Sequence, residues 1–524
     1  MTSVYVSPAV LSDIDVDGLV SAFDVKTEGG RAALKERLSS PVANEAALKG
    51  RVDQLRQIKG SYKVSAAAIE KARTTLQETE ADMISVATAA DDERHAEYYD
   101  QILWKPNAWF ADILNQGWIL EIIVLLRTIL MPGLSALLPL IILLVPVFLY
   151  FSTPTAQPLS YYLKALTKLV ATASPAGLGS RRFAGKGGAL EMGEEVTHVA
   201  MGLGVLAFSA WTQISSALSM RKIVADMRRR AESVRKFTAA TEVIAKSLQV
   251  PLPDKWQTWT SGSLGLFGEA WMSPARVQHI LRFASELDML IGVAAARRTA
   301  YPKRGDHIEI RDLYHPGTGA RRIYNSIQMG GGKKQHVILT GPNRGGKSTV
   351  LKSLGAAVLM SQTIGVVFAR RATLPLFTSM ITALSPSDVL GKMSLFESEI
   401  EFAKDVKSRL GTEPMFLMMD EIFHGTNASD GAAAARVFLD QLYKHQGPVF
   451  SVISTHYMEL PESYRGTYVQ DLCMEARQKT PELLEYTYRL CEGINRCSSV
   501  HEILRERGLC GPDEAKNTAP ASKV

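Results

Sequence analysis

The residues best suited to chemistry form one run, Gly341-Pro342-Asn343-Arg344-Gly345-Gly346-Lys347-Ser348-Thr349. A short apolar stretch before it (residues 337–339) reads as a buried strand, and residues 350–359 after it carry helical apolar spacing. Strand, Gly-x-x-x-x-Gly-Lys-Ser loop and helix in that order make a cradle for phosphates. Glycines let consecutive backbone N–H groups wrap an anion at the positive end of the following helix. In such a loop Lys347 reaches the β- and γ-phosphates, and the Ser348 hydroxyl ligates Mg²⁺. A glycine-rich turn without a ligand would not need the strand and helix on either side. ATP with Mg²⁺ is the expected occupant of residues 341–349.

Further along, the apolar run Phe416-Leu417-Met418-Met419 ends in Asp420-Glu421. A strand that ends in Asp presents a carboxylate to the Mg²⁺ shell. The next acid, Glu421, is then placed to orient or deprotonate an attacking water. Gly425-Thr426-Asn427 and a small-residue helix over 432–439 follow, and another strand-like run ends in Ser454-Thr455-His456. A histidine there can contact the γ-phosphate and report its presence. Alone, an Asp-Glu pair is a solvated strand end and a histidine a polar terminus. Behind a phosphate loop they complete a hydrolytic set, with Lys347, Glu421 and His456 in catalytic roles and Ser348 and Asp420 on the metal.

The chain that must position these residues is 524 long with net charge +6, enough for two to four domains and mildly basic. That charge suits nucleic acid or an anionic membrane surface and is diagnostic of neither. Four cysteines near the C-terminus without a Cys-x-x-Cys pair read as reduced thiols, not as a disulfide framework or zinc site. Asp13, Asp15 and Asp17 interrupt the region where a cleavable signal would need an apolar core. Residues 1–60 look helical, and 61–103, rich in Ala, Glu, Lys and Gln, read as an extended helix. Residues 128–163 then lack any charged side chain, so 130–151 is expected to span a bilayer despite Pro132, Pro139 and Pro146. Trp104, Trp109 and Trp118 before it, and Tyr150, Tyr161 and Tyr162 after it, resemble an interfacial belt.

A second span is expected over 196–218, where His198 reads as interfacial. The two spans would form a hairpin. Arg221, Lys222, Arg228, Arg229, Arg230, Arg235 and Lys236 follow it, read as a cytosolic topology signal, a solvated helix face or a nucleic-acid contact. Residues 219–250 and 274–298 are helical again, joined by a Pro-, Gly-, Ser- and Trp-rich linker over 251–268. From residue 306 strands and helices alternate, as in an α/β nucleotide-binding domain, until a polar tail from 511 expected to be disordered.

The residues 341–349, Asp420-Glu-Ile-Phe-His-Gly-Thr-Asn427 and Ser454-Thr-His-Tyr457 together resemble the ATPase of the MutS family of DNA mismatch-repair proteins. Ser394-Leu-Phe-Glu-Ser-Glu399 is similar to that family's Ser-Thr-Phe segment, which implies that Ser394 acts in trans on a partner's γ-phosphate. Residues 485–493 resemble its closing strand, and 287–325 its run-in to the phosphate loop. Residues 18–60 resemble the start of its core. The resemblance implies ABC-type heads that dimerise, with themselves or with a relative, around two ATP, and double-stranded DNA as a partner.

Arg344 stands where the family usually has Met, and Phe423-His424 where it has Gly-Arg. The domain that reads mismatches is expected to be absent, and Phe267-Gly268-Glu269 reads as an accidental match to its Phe-x-Glu. The hairpin occupies the place of the family's DNA clamp, with the lipid bilayer as partner. The expected fold is thus a helical core and lever (1–115), a transmembrane hairpin (116–220), a returning lever and core (221–304), an ABC-type P-loop α/β ATPase (305–510) and a tail (511–524). Both soluble parts are expected in the cytosol. The leading function is a membrane-anchored, ATP-dependent DNA-binding protein. The alternative is an ATP-driven mechanochemical or signalling module that does not bind DNA. Two spans are too few for a transporter subunit, and Ser394-Leu-Phe is not its Leu-Ser-Gly-Gly sequence.

Overall fold

The computed structural model describes residues 4–88, 98–104, 109–152, 190–254, 256, 258, 259, 261–319, 322–384, 394–480 and 483–508. Tyr161, Tyr162, the connection between the two expected spans and the tail over 511–524 lie outside them. Eleven strands are described: β1 (Tyr5–Val6), β2 (Lys303–Arg304), β3 (Ile308–Leu313), β4 (Asn325–Met329), β5 (His336–Thr340), β6 (Arg371–Leu374), β7 (Ser379–Ala383), β8 (Met415–Met419), β9 (Val449–Ser454), β10 (Val469–Thr480) and β11 (Leu483–Glu492). The chain divides into two compact units, one of residues 1–73, 244–250 and 284–524, the other of 74–243 and 251–283.

The first unit is built on a seven-stranded sheet in the order β1-β7-β8-β9-β5-β10-β11. All its neighbours run parallel except the last pair, β10 and β11. Strands β5, β8 and β9 are buried at every residue, which is why their sequences are near-continuous apolar runs without alternation. The strands expected near 337–339, 415–419 and 449–454 form there. A second sheet, β2-β6-β3-β4, is mostly antiparallel.

The N-terminus departs from the helical reading of residues 1–60. Tyr5 and Val6 add an edge strand beside β7. The buried Asp13 carboxylate accepts from Thr382 Oγ1 (2.7 Å) and Leu384 N (3.0 Å), so the first residues belong to the large sheet. Helices follow at Glu28–Leu38 and Glu45–Thr88, the latter kinked at Ser65. The long helix thus begins earlier than the residue 61 expected, and residues 89–97 of that reading lie outside the described ones.

One charged knot holds the helical part of this unit. Arg73 and Asp288 have fully buried side chains, with Arg73 Nε donating to Asp288 Oδ1 at 2.7 Å. The other Asp288 oxygen accepts from Lys26 N (3.0 Å), Thr27 N (2.8 Å) and Thr27 Oγ1 (2.8 Å). Thr27 in turn caps Glu28–Leu38 by accepting from Gly30 N. Three segments distant in sequence meet at one carboxylate.

In the second unit Gly117–Leu125, a π-helical turn Leu126–Leu130 and Met131–Ser152 follow one another without a break. Among the described residues one helix, Gly117–Leu137, is long and apolar enough to cross a membrane, with 22% of its most apolar window buried. This begins before the 130–151 expected. Residues 196–218 are helical within the 59-residue helix Leu190–Leu248, but Ser209, Thr212, Gln213, Ser215 and Ser216 dilute its apolar character. The two-span hairpin is therefore carried only in part. The linker over 251–268 is shorter than its composition suggests, because Ser263–Met272 is a helix. Leu264, Leu266, Phe267, Ala270 and Trp271 are all buried, so it packs on nearly every side. Gly117 packs directly on Gly265, where a Cβ would lie 2.8 Å from the opposing Cα.

Much of the arginine cluster after residue 220 is engaged within this unit. Arg228 pairs with Glu121 (2.9 Å), Arg229 with Asp82 (2.7 Å) and Asp226 (2.8 Å), Arg230 with Asp226 (2.9 Å), and Arg235 with Glu232 (3.0 Å).

Asp288→Ala leaves the buried Arg73 guanidinium without its main counter-charge, a change that costs about 3–5 kcal/mol. The expected result is lost amide hydrogen-exchange protection in Glu28–Leu38 and Pro274–Ala295. Replacing both partners together, as in Arg73→Met with Asp288→Leu, should retain more protection than Asp288→Ala alone.

Candidate functional site

The chemistry-bearing residues collect at the C-terminal ends of β5, β8 and β9, the edge where open parallel sheets bind ligands. β5 ends at Thr340, and Gly341 turns the chain with φ +143°. Gly346, at φ +96°, starts the Lys347–Thr363 helix, most of which is buried. Both glycines adopt a backbone conformation that L side chains rarely take. There is also no slack around the cradle: a Cβ on Gly341 would lie 3.1 Å from Met474 Cβ, and one on Gly346 3.3 Å from the Tyr488 ring. Lys347 is buried, its Nζ donating to Gly341 O at 2.9 Å and reaching Pro342 O at 3.5 Å. Burial pushes its pKa down. Its charge thus faces the loop that would hold phosphates.

Asp420 closes the site from β8. Its Oδ2 accepts from Ser348 Oγ at 2.5 Å, and its Oδ1 from the Ser454 hydroxyl. Ser454 Oγ also accepts from Glu421 N at 2.8 Å. The Ser348 hydroxyl and the Asp420 carboxylate form an oxygen pair of the kind Mg²⁺ takes. Next to them His456 Nε2 donates to Glu421 Oε1 at 2.7 Å, with Lys347 Nζ 3.4 Å from the same nitrogen. That bond from His456, before any other influence, holds the Glu421 carboxyl below its ordinary value. Lys347, Ser348, Asp420, Glu421 and His456 therefore form one connected group.

Lys347, Ser348 and Glu421 of this group, but not Asp420 or His456, line a cavity of about 920 Å³ together with Pro342, Asn343, Arg344, Gly346 and Thr349 from the sequence motifs. Arg344 adopts φ +65° and pairs with Glu506. Residues outside the motifs, Tyr314, His315, Arg322 and Tyr488 among them, complete the wall. The His315 Nε2 is buried and has no hydrogen-bond partner among the described residues, a polar atom that a ligand could satisfy. Tyr488 adopts φ +57°, and its carbonyl accepts from Asn325 Nδ2 at 3.2 Å. Asn325 Oδ1 also accepts from Leu490 N at 2.8 Å, so β4 fixes β11 over the loop. The size, the basic floor and this orphaned nitrogen fit a nucleotide. Tyr488 carries no chemical motif of its own; the resemblance of residues 485–493 to a closing strand is the signal that took it in.

Ser394 lies elsewhere. It is exposed, caps Leu395–Ser408 in a capping box with Glu397, and among the described residues lines no part of this cavity.

Lys347→Ala removes a buried cation whose charge-assisted hydrogen bonds are worth about 1.5–3 kcal/mol each. ATP affinity, measured with a fluorescent analogue, is expected to fall roughly a hundredfold. An affinity within twofold of the parent's would contradict this placement of the triphosphate.

A family model described as MutS domain V matches residues 337–509, the segment that carries β5, the phosphate loop, Asp420, His456 and Tyr488. The DNA mismatch repair protein MutS of Thermus aquaticus is 34% identical over 185 residues, covering 34% of this chain and 22% of that protein. That of Shouchella clausii is 34% identical over 197 residues, 36% of this chain and 22% of the relative. Endonuclease MutS2 of Agathobacter rectalis is 30% identical over 247 residues, 45% and 30% respectively. Each match takes in less than a third of the relative's length. The segment that builds this site, residues 337–509, matches domain V of the MutS family.

Proposed function

We propose that this chain is a Mg²⁺-dependent ATPase whose heads pair, with a second copy or a relative, and whose nucleotide state is passed to its helical unit. The observation that carries the reading is the connected group Lys347, Ser348–Asp420 and Glu421–His456, of which Lys347, Ser348 and Glu421 line one cavity of about 920 Å³. ATP supplies the phosphoanhydride bond that is broken. The backbone of residues 341–349 and the Lys347 ammonium bind its phosphates. Ser348 and Asp420 hold Mg²⁺. Glu421, kept ionised by His456, accepts the proton of the attacking water, and His456 responds to the γ-phosphate beside it. Ser394, exposed and apart from the cavity of its own chain, fits a role in the partner's site.

The second unit is proposed to anchor the protein in a membrane, as a hairpin with both soluble parts on the cytosolic side. Support comes from the exposed apolar side chains along the first long helix, among them Trp118 (63%), Phe148 (72%) and Phe151 (78%), and from Phe208 (68%) and Trp211 (67%) on the other. Apolar surface on that scale needs lipid or another chain to cover it. Double-stranded DNA is the ligand that the relatives' names suggest, without direct mismatch reading. The alternative, an ATP-driven membrane module that does not bind DNA, is favoured by one observation: Arg228, Arg229, Arg230 and Arg235 already have carboxylate partners.

Glu421→Gln is expected to keep ATP affinity, lower turnover by two to three orders of magnitude (about 3–4 kcal/mol) and accumulate a nucleotide-bound dimer on size exclusion. Turnover at the parent rate would remove the base assignment. Because Glu421 must be ionised to act and its pKa is lowered, kcat/KM should stay level as pH falls until it passes below the ordinary glutamate value. His456→Ala removes the main cause of that lowering, so its acid limb should move to higher pH. For the second unit, the full chain should stay in the membrane pellet through a carbonate wash. Duplex binding, where present, should weaken steeply with salt. Its absence at low salt would select the module without DNA.

A further inference from the structure

The turn that follows β8 is held in an unfavourable shape. Glu421 (φ +54°) and Phe423 (φ +52°) both occupy the left-handed region, which side chains bearing a Cβ disfavour. Such a turn persists only when its surroundings over-determine it. Ser454 Oγ holds its start at Glu421 N, and Tyr457 Oη donates to Phe423 O at 2.7 Å. Its far end is held by Glu399, a carboxylate only 9% exposed. Glu399 Oε1 accepts from His424 N at 3.2 Å and Oε2 from Gly425 N at 3.1 Å. His424 Nδ1 closes the loop by donating to Glu421 O at 2.9 Å.

Glu399 stands on the Leu395–Ser408 helix, whose N-cap is Ser394. The turn and that helix are in direct contact. A Cβ on Gly425 would lie 2.8 Å from both Phe396 N and Leu395 Cγ, and the Phe423 and Phe396 rings pack edge-to-face at 6.2 Å. A displacement of this helix cannot leave the turn unmoved, because close-packed groups with no free space between them transmit strain. We propose that Glu399 is a positioning residue that sets the geometry of Glu421 and ties it to the engagement of Ser394 on the partner's nucleotide. The coupling rests on the head-pairing read above. In it, each head aligns its own Glu421 when its own Ser394 is seated across the interface, so the two sites close together.

The test uses the full chain in four forms: parent, Glu399→Gln, Ser394→Ala and the two together. A glutamine offers one acceptor oxygen and one NH₂ donor, so a backbone N–H of His424 or Gly425 loses its partner while side-chain size is kept. Expected for Glu399→Gln are a kcat lower by roughly tenfold and an ATP Kd within twofold of the parent's, since small misplacements of catalytic groups cost rate more than binding. The double variant should be no slower than the slower single, because both substitutions break one linkage. Tyr457→Phe loosens the same turn from its other side without touching Glu399, and is expected to show the same split between kcat and Kd. That second variant decides the matter if Glu399→Gln does not fold. An unchanged kcat in Glu399→Gln or in Tyr457→Phe overturns the positioning role. So does a parallel loss of kcat, affinity and thermal midpoint. Losses that multiply in the double variant overturn the tie to Ser394. A parent that binds ATP without hydrolysing it removes the underlying ATPase reading, and is told apart by the parent assay alone.

Discussion

The parallel register of β5, β9 and β8 is the constraint on which the rest depends. Leu339 pairs with Ser454, and Met419 with Ile453, so the three strands end level and release their loops on one edge. Side chains alternate between faces along a strand, so a slip of one residue would turn each set to the opposite layer. Because all three strands are buried throughout, that slip would take apolar groups out of two cores at once. The apolar runs that seem uninformative locally are what bring Lys347, His456 and Glu421 together, with Asp420 beside them on Ser348 and Ser454.

On that rigid edge the site concentrates buried charge and strained backbone. Lys347 loses solvation against its own loop, and Asp420 is divided between Ser348 and Ser454. Buried polar groups of this kind are stable only when each has a partner. The hydrogen bonds that satisfy them also fix where they point. The left-handed Glu421 and Phe423 extend the same logic, since side chains from β9, the following turn and the helix after Ser394 all converge to keep them in place. Rigidity at the sheet edge and tension in the turn are complementary. A turn held from several sides responds when any one of them moves.

The helical segments obey a different balance. Arg73 and Asp288 tie Val25–Lys26–Thr27, the Glu45–Thr88 helix and the Pro274–Ala295 helix through one buried pair, which specifies register at a cost in desolvation. In the second unit Arg228, Arg229, Arg230 and Arg235 pair with carboxylates, Met227, Val234, Phe237 and Trp271 are buried, and Trp118, Phe148, Phe151, Phe208 and Trp211 are exposed.

The sequence by itself determined what depends on neighbours along the chain. The phosphate loop, the acid pair after β8 and Ser454-Thr455-His456 are local patterns, legible because backbone wrapping and strand-end placement need those residue types at those spacings. The apolar composition of the stretch from residue 130 was legible for the same reason, and a helix forms there. What composition blurred were boundaries: the apolar helix starts at Gly117, and the linker hides a helix buried on nearly every side. Tertiary structure alone decided which distant segments meet. Tyr5–Val6 joins the sheet 374 residues away at Ser379 and Met380, Tyr488 roofs a loop far from it in sequence, and Glu399 braces the turn after Glu421. None of these contacts carries a local signal, because strand pairing, side-chain packing and long-range hydrogen bonds are settled by which buried groups can satisfy one another, and that becomes defined only once the chain has folded.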